Sequence, residues 1–310
     1  MTGCRPEPVA GHGPDDRPDR ESFWIKDLAG DDMVEQAALT RNGPDASAEA
    51  QVTLERVGRV AVITLNRASM RNPLSLDFKQ RILPILDEVE EDSGLSAIVL
   101  TGAGKTFCAG AELGQVVHPD GKDSEEQFRS VRTYNQVIQR LRAHDLPVIG
   151  AINGAAVGGG AALALACDIA IASENASYYF AFGRVGAAAA DMGCTYLLAK
   201  AVGSMRARHW ILTGRNVGAA EGLAAGLFAE VLPADRLLAR AIEIGEEIAA
   251  AQPRRAAAAT KLALTRADDT SFEACITYEA YVQNYMFTTE EHRTRLRALM
   301  QGGPGAKKRS

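Results

Sequence analysis

From Leu146 to Cys167 the chain carries no charged side chain, and this span limits the folds open to it more than any other feature. A run of that length either crosses a bilayer or lies inside a large core. Its interior decides between the two. Pro147, Asn153 and the triplet Gly158-Gly159-Gly160 interrupt it, and much of the rest is Ala or Gly. Such a segment is weakly hydrophobic and poorly helical at its centre. The expected structure is a buried strand, a glycine turn and a helix, with no membrane span. Glycines in the turn let backbone N–H groups approach a ligand that side chains would hold away. A helix starting just after them aims its positive end at the same spot. The turn is therefore a candidate half of an oxyanion hole.

The flanking sequence supplies the elements around this turn. QVTLERVGRVAVITLN, from Gln51, reads as two β-rich runs joined at Val57-Gly58-Arg59. Residues 74–92 have helical spacing, with Ser75 as the cap, and Pro84 is expected to kink or split that helix. Ser96 to Gly102 is a short buried strand, and an amphipathic helix spans about Ser124 to Ala143. Pro147 opens the strand PVIGAI, and DIAIA is the next strand after the glycine turn and its helix. Over Ala97 to Ala172 strand and helix alternate, with crossovers of the length parallel strands need. The last third is different. ADRLLARAIEIGEEIAAA, PRRAAAATKLALTRA, SFEACITYEAYVQNYMF and TTEEHRTRLRALM are helical runs with caps or Pro at their starts, an appended layer suited to oligomer contacts.

The start of the chain has another composition. Residues 1–48 hold five of the twelve prolines and many Asp, Arg and Gly, too little apolar surface to fold alone. Only Phe23-Trp24-Ile25 offers a docking patch, and no apolar h-region of a secretory signal is present. The expected organisation is a disordered extension over 1–50, a core over 51–250, a helical C-terminal oligomerisation region over 251–301 and a flexible tail over 302–310.

Several chemistries find no support. A net charge of −5 gives no reason to expect nucleic-acid binding. Cys4, Cys108, Cys167, Cys194 and Cys275 are scattered without metal-ligand spacing, which points to free thiols in a reducing, cytoplasmic setting. TGAGKT, Thr101 to Thr106, is not a P-loop, because Val99 stands where the first glycine is needed. No G-x-S-x-G elbow exists, and the five histidines lack metal spacing. His144 beside Asp145 reads as a helix-end residue rather than a base.

Three segments together carry a resemblance. LNRASMRNPLS (Leu65 to Ser75), VLTGAGKTFCAGAEL (Val99 to Leu113) and AINGAAVGGGAALALACDIAIA (Ala151 to Ala172) are similar to signature segments of the crotonase superfamily, the enoyl-CoA hydratases, isomerases and relatives. DMGCTYLLAKAVG, WILTGR and AAGLFAEVLP continue the pattern in order, so that the likeness covers about residues 51–300. It implies an α/β fold, a spiral of ββα units with a C-terminal helical trimerisation region. It also implies an acyl-CoA thioester substrate, with coenzyme A part of that substrate and no separate cofactor, and a homotrimer or dimer of trimers.

The resemblance assigns residues as well. Two backbone N–H groups, at Ala111 and Gly159, would hold the thioester oxygen as enolate charge builds on it. Arg71 matches a position near the CoA phosphates, which a guanidinium suits, with a solvated turn arginine as the alternative. Ala109 would border the adenine. Asp168 is expected to bond the start of a strand. The pattern breaks at the two glutamates with which hydratases handle water, whose positions hold Ala162 and Phe182. Neither transfers a proton, so two-glutamate hydration has no support. The nearest acid is Asp191, close to where dienoyl-CoA isomerases and a dehalogenase carry an aspartate, in a loop one residue longer here. In its Ala-rich setting it reads as a proton carrier or as the N-cap of the following helix. Glu112 and Arg184 are weaker candidates. The implied activity is that of an enoyl-CoA hydratase or isomerase, with a catalytically impaired acyl-CoA-binding protein as the alternative.

Overall fold

The computed structural model describes residues 50–112, 124–267 and 269–302. The N-terminal extension with Phe23-Trp24-Ile25, and the C-terminal tail beyond 302, lie outside the described residues. The first elements are β1 (Val52–Val57) and β2 (Val60–Leu65), an antiparallel hairpin closed by the pair Val57 and Val60. Helix α1 (Leu76–Glu91) follows, with the Ser75 hydroxyl accepting from Phe78 N at 3.1 Å. A side-chain cap of this kind contributes about 1 kcal/mol. Pro84 lies inside α1 without splitting it, contrary to one of the two outcomes its presence predicts. Ile82, Leu86 and Val89, fully buried on either side of it, hold the helix through a lost backbone bond.

Three strand pairs come next: β3 (Ala97–Gly102) with β4 (Thr106–Cys108), β5 (Val148–Ile152) with β6 (Ala155–Val157), and β7 (Ile169–Ser173) with β8 (Ser177–Tyr179). Each pair is followed by helix: α2 (Ser124–Ala143), α3 (Gly159–Leu165) and α4 (Cys194–Val202), respectively. The first strand of every pair joins a six-stranded sheet ordered β1-β2-β3-β5-β7-β10, where β10 is Glu230–Leu232. The second joins a four-stranded sheet ordered β4-β6-β8-β9, where β9 is Asn216–Gly218. One ββα unit thus adds one strand to each sheet, and the chain advances as a spiral. From β2 to β10 the large sheet is parallel.

Alternation of side chains along these strands fills two cores. Ala61, Ile63, Leu65, Ile98, Leu100 and Ile152 face the main core with α1, α2 and α3. Val60, Val62, Val99, Ile149 and Ile171 face a second layer with Leu237, Ala241 and Ile244 of α7 (Ala234–Ala251). Strands buried on both faces explain the near-continuous apolar runs of the sequence. After α5 (Ser204–Thr213) and α6 (Ala219–Ala224), which precede α7, the chain ends in α8 (Arg254–Ala267), α9 (Phe272–Phe287) and α10 (Glu290–Gly302).

Candidate active site

Strand β6 delivers the glycine turn. Gly158 has φ 52 and ψ −116, a backbone conformation reserved for glycine. Its N–H is tied to Tyr179 O at 2.9 Å. Helix α3 begins at Gly159, so the last two glycines lie in the helix instead of ahead of it as the sequence suggested. As the first helical residue, Gly159 has no intrahelical partner for its N–H. The parallel pairing of β4 with β6 aligns Cys108 with Ala156 and so carries residues 109–112 alongside the turn. The approach is close: a β-carbon on Gly110 would lie 2.5 Å from Val157 O and 3.5 Å from Gly159 N.

The direction of the Ala111 N–H follows from one hydrogen bond. Leu74 N donates to Gly110 O at 2.7 Å, and Glu112 N donates to Leu74 O at 3.2 Å, forming a parallel bridge between Leu74 and Ala111. Gly110 C=O and Ala111 N–H belong to one trans peptide and point opposite ways. With the carbonyl turned to Leu74, the Ala111 N–H is turned away from it. The same ladder continues backwards, where Ala109 N donates to Arg71 O at 2.9 Å. The two residues matched to CoA binding are therefore adjacent. Among the described residues, the Arg71 guanidinium has no hydrogen-bond or ion-pair partner.

A residue that sequence reasoning missed holds this ladder in place. Asn72 Nδ2 donates to Ala103 O at 2.9 Å and Thr106 O at 2.7 Å, while its Oδ1 accepts from Arg67 N at 3.0 Å. Among the described residues, the only non-glycine residues with positive φ are Arg71, Asn72 and Met192. All three flank this region, and each such conformation costs on the order of 1 kcal/mol.

Asp191 reaches the site through its neighbour. The Met192 sulfur lies 3.0 Å from where a β-carbon on Gly159 would stand. The Asp191 side chain does not cap α4: Gly193 is the N-cap residue, no side chain bonds there, and Asp191 offers Cys194 N its backbone carbonyl at 2.9 Å. Burial pushes the Asp191 carboxyl above the usual carboxylate range, against the opposing effect of the Met192 N–H. The same burial pushes Cys108 and Cys194 up to about 12. Glu112 is engaged elsewhere, paired with Arg67 at 2.9 Å. Arg184 is exposed, with its guanidinium 5.4 Å from the Tyr179 ring centre. Ala162 is fully buried and Phe182 nearly so, the Phe182 ring lying 4.0 Å from a β-carbon placed on Gly158.

Helix α2 contributes a second unforeseen residue, Tyr134. Its hydroxyl donates to Leu74 O at 2.9 Å. Burial raises its pKa, with Cys108, Glu112 and Asp191 adding to the effect. The sequence held a faint trace of it. In the buried stripe Tyr134, Val137, Ile138 and Leu141, only Tyr134 bears a polar group.

The remaining polar candidates hold the frame. Asp168 accepts from Val148 N at 2.7 Å and from Lys261 Nζ at 2.8 Å, fastening the start of β5 as expected. His144 accepts from Leu146 N at 2.9 Å through Nδ1 and lies 3.0 Å from Leu86 O through Nε2, the pattern of a neutral imidazole. Asn153 Nδ2 donates to Gly104 O at 2.9 Å and its Oδ1 accepts from Gly102 N at 3.2 Å, which makes TGAGKT a clasped turn. A cavity of about 630 Å³ lies apart from all of these, between α8, α9 and α10, with Ala263, Val282, Met286 and Leu296 in its walls. It holds none of the candidate residues. Among the described residues, no cluster of three or more His, Cys, Asp or Glu could hold a metal ion, and no helix is long and apolar enough to cross a membrane.

Comparison with known proteins gives this geometry a context. The pattern of the family described as enoyl-CoA hydratase/isomerase matches residues 55–301. The short-chain-enoyl-CoA hydratase of Clostridium acetobutylicum is 34% identical over 252 residues, covering 81% of this chain and 94% of its own. A 4-chlorobenzoyl coenzyme A dehalogenase of an Arthrobacter species is 32% identical over 240 residues, covering 77% of this chain and 86% of its own. The crystal structure of an enoyl-CoA hydratase/isomerase from Cupriavidus metallidurans superposes with a TM-score of 0.76 at 32% identity, covering 82% of this chain and 94% of that one.

Proposed function

This chain belongs to the enoyl-CoA hydratase/isomerase family and is an enzyme of that type, and on that premise we propose that it moves a double bond within an enoyl-CoA by a single-carboxylate proton transfer. The observation that carries the reading is the pairing of Ala162 and Phe182 with Asp191. The positions that match the family's water-handling glutamates are apolar and buried, and a half-buried carboxylate stands beside Met192. One carboxylate suffices to take a proton from one carbon and return it to another. Adding water requires groups that orient and deprotonate it.

In this mechanism the thioester oxygen accepts the N–H groups of Ala111 and Gly159. The ionised Asp191 removes a proton from the α-carbon of a 3-enoyl thioester, and the electron pair spreads over the dienolate to the thioester oxygen. Fixed donors stabilise that charge without reorganising. The protonated Asp191 then returns its proton to the γ-carbon, which leaves the 2-enoyl thioester and a restored carboxylate. Its upward-shifted pKa makes it a stronger base than an ordinary carboxylate, which suits a group that must both take and return a proton. Arg71, without a partner among the described residues, would meet the CoA phosphates, and Ala109 beside it would border the adenine. The exposed apolar residues of α9 and α10 support a homotrimer or dimer of trimers. The free cysteines support a cytoplasmic location.

The test is turnover of 3-enoyl-CoA and 2-enoyl-CoA panels in deuterated water. Conversion of 3-enoyl to 2-enoyl thioester, without formation of the 3-hydroxy product, is expected. Dominant hydration would overturn the reading. Tight acyl-CoA binding without turnover or exchange would leave only the binding role.

A further inference from the structure

We infer that Tyr134 is a positioning residue for the proposed reaction, and that its hydroxyl fixes the Ala111 N–H through the backbone of Leu74. The inference rests on the reading of Ala111 as an oxyanion donor. The connection is continuous in the geometry. Tyr134 Oη donates to Leu74 O at 2.9 Å, and Leu74 N donates to Gly110 O at 2.7 Å. The second bond sets the plane of the peptide that carries the Ala111 N–H, because the two ends of a trans peptide point in opposite directions. Leu74 is the bridge partner of Ala111, so a rotation of the Leu74 backbone turns the donor with it.

The tyrosine is itself held from several sides. It is 4% exposed, and Lys79 Nζ stands 4.0 Å from its ring centre while donating to Ser130 Oγ at 2.7 Å. Helix α2 thus presses on the ladder through one directed hydrogen bond. Leu74 O also accepts from Glu112 N at 3.2 Å. Without the hydroxyl that carbonyl keeps a partner, so the fold persists while the ladder gains freedom to twist. An oxyanion donor works by being aimed before the charge forms, and a loosened one loses that advantage.

The experiment compares the full-length enzyme with Tyr134→Phe using cinnamoyl-CoA, whose conjugated carbonyl reports polarisation and which has no γ-hydrogen to move. The wild type is expected to shift the thioester carbonyl stretch to lower frequency on binding. Tyr134→Phe should show less than half that shift with a cinnamoyl-CoA dissociation constant within about twofold, and with a 3-enoyl-CoA substrate its KM should stay within about twofold while kcat falls by about tenfold. A full wild-type shift with unchanged kcat in the variant would overturn the role of Tyr134 and leave the oxyanion reading standing. No shift in the wild type would remove the oxyanion reading, and this inference with it. Should Tyr134→Phe fail to melt cooperatively, 4-aminophenylalanine at position 134 keeps a donor and must keep the shift. There 4-methylphenylalanine fills the space without a donor and must lose it. The opposite pattern in that pair overturns the proposal.

Discussion

The Met192 sulfur lies 3.0 Å from the point a β-carbon on Gly159 would occupy, and Leu74 Cδ1 lies 2.9 Å from it on another side. Both neighbours are ends of flexible side chains, so Gly159→Ala is expected to fold with small rearrangements. The added methyl then stands where Leu74 and Met192 close on the proposed thioester site. Turnover should fall by about 10²-fold, because the methyl holds the thioester oxygen away from an N–H that alanine still offers, and a misaligned oxyanion donor loses much of its effect. Steady-state kinetics beside a thermal melt check this, and a fully active Gly159→Ala enzyme would show that the space beside Gly159 is not where the thioester sits.

Asp191→Asn tests the proton carrier, and stability and activity should move in opposite directions. Kcat should fall by about 10²- to 10⁴-fold. The folded-state pKa of Asp191 is raised, so its contribution to stability is present below the unfolded value of 3.8 and is lost as pH rises through the folded value. At neutral pH the ionised carboxylate therefore destabilises the fold, and the asparagine variant should melt higher there than the wild type. The acid limb of kcat/KM should lie above the ordinary carboxylate range in the wild type.

The sequence made the large-sheet strands β1, β2, β3, β5 and β7, the long helices and the location of the glycine turn legible, because those depend on local periodicity. The three-residue strands of the second sheet and β10 are too short to carry a periodic signal. Ser75 as a cap was legible because it too is a local signal, whereas the structural role of Asp168 came from the resemblance, and its partner Val148 lies twenty residues away. The aim of the Ala111 N–H was not, since it depends on a hydrogen bond from Leu74 to Gly110, thirty-six residues away. Met192 in a left-handed conformation has no composition signature, and Tyr134 looked like one more core residue of an amphipathic helix. The capping alternative for Asp191 does not hold, since Gly193 is the N-cap residue and no side chain bonds there. The residue does bond the first turn of α4, through its carbonyl, which leaves its carboxylate unused by the helix.

The pair Asp168 and Lys261 should be costly to break. Lys261 is 7% exposed and also donates to Leu141 O at 2.9 Å and Leu146 O at 3.0 Å. Lys261→Met leaves the Asp168 carboxylate buried without its cation, a change that costs about 3 kcal/mol or more. Urea unfolding should show that loss. Adding Asp168→Asn should recover part of it, because the two changes act on one interaction.

Acid should destabilise the protein in two stages. His144 is held neutral, its folded pKa lowered by burial below 6.5, so the unfolded chain takes the proton first and stability falls with pH below that value. Glu90 is held at about 2 by the Arg140 guanidinium, against an ordinary value of 4.5. Its contribution is present above 4.5 and is lost as pH falls from there toward 2. Arg140→Met should flatten the melting-temperature profile below pH 4.5 and leave the limb between 4.5 and 6.5 in place.

The C-terminal helices should lose their partners before they lose their shape. Helix α9 buries none of its sixteen residues within the protomer, and Phe272 and Tyr281 are each 75% exposed. Helices of that length have little stability in water without packing, so the proposed trimer predicts that this face packs against another copy of the chain. Light scattering of the wild type should give about three or six times the protomer mass of 33.0 kDa. Tyr281→Glu places a charge on the exposed face without disturbing a buried contact of its own protomer. It should shift the mass toward one protomer and lower the melting temperature in a concentration-dependent way. A wild type that runs as one protomer at all concentrations would remove the trimer from the proposal.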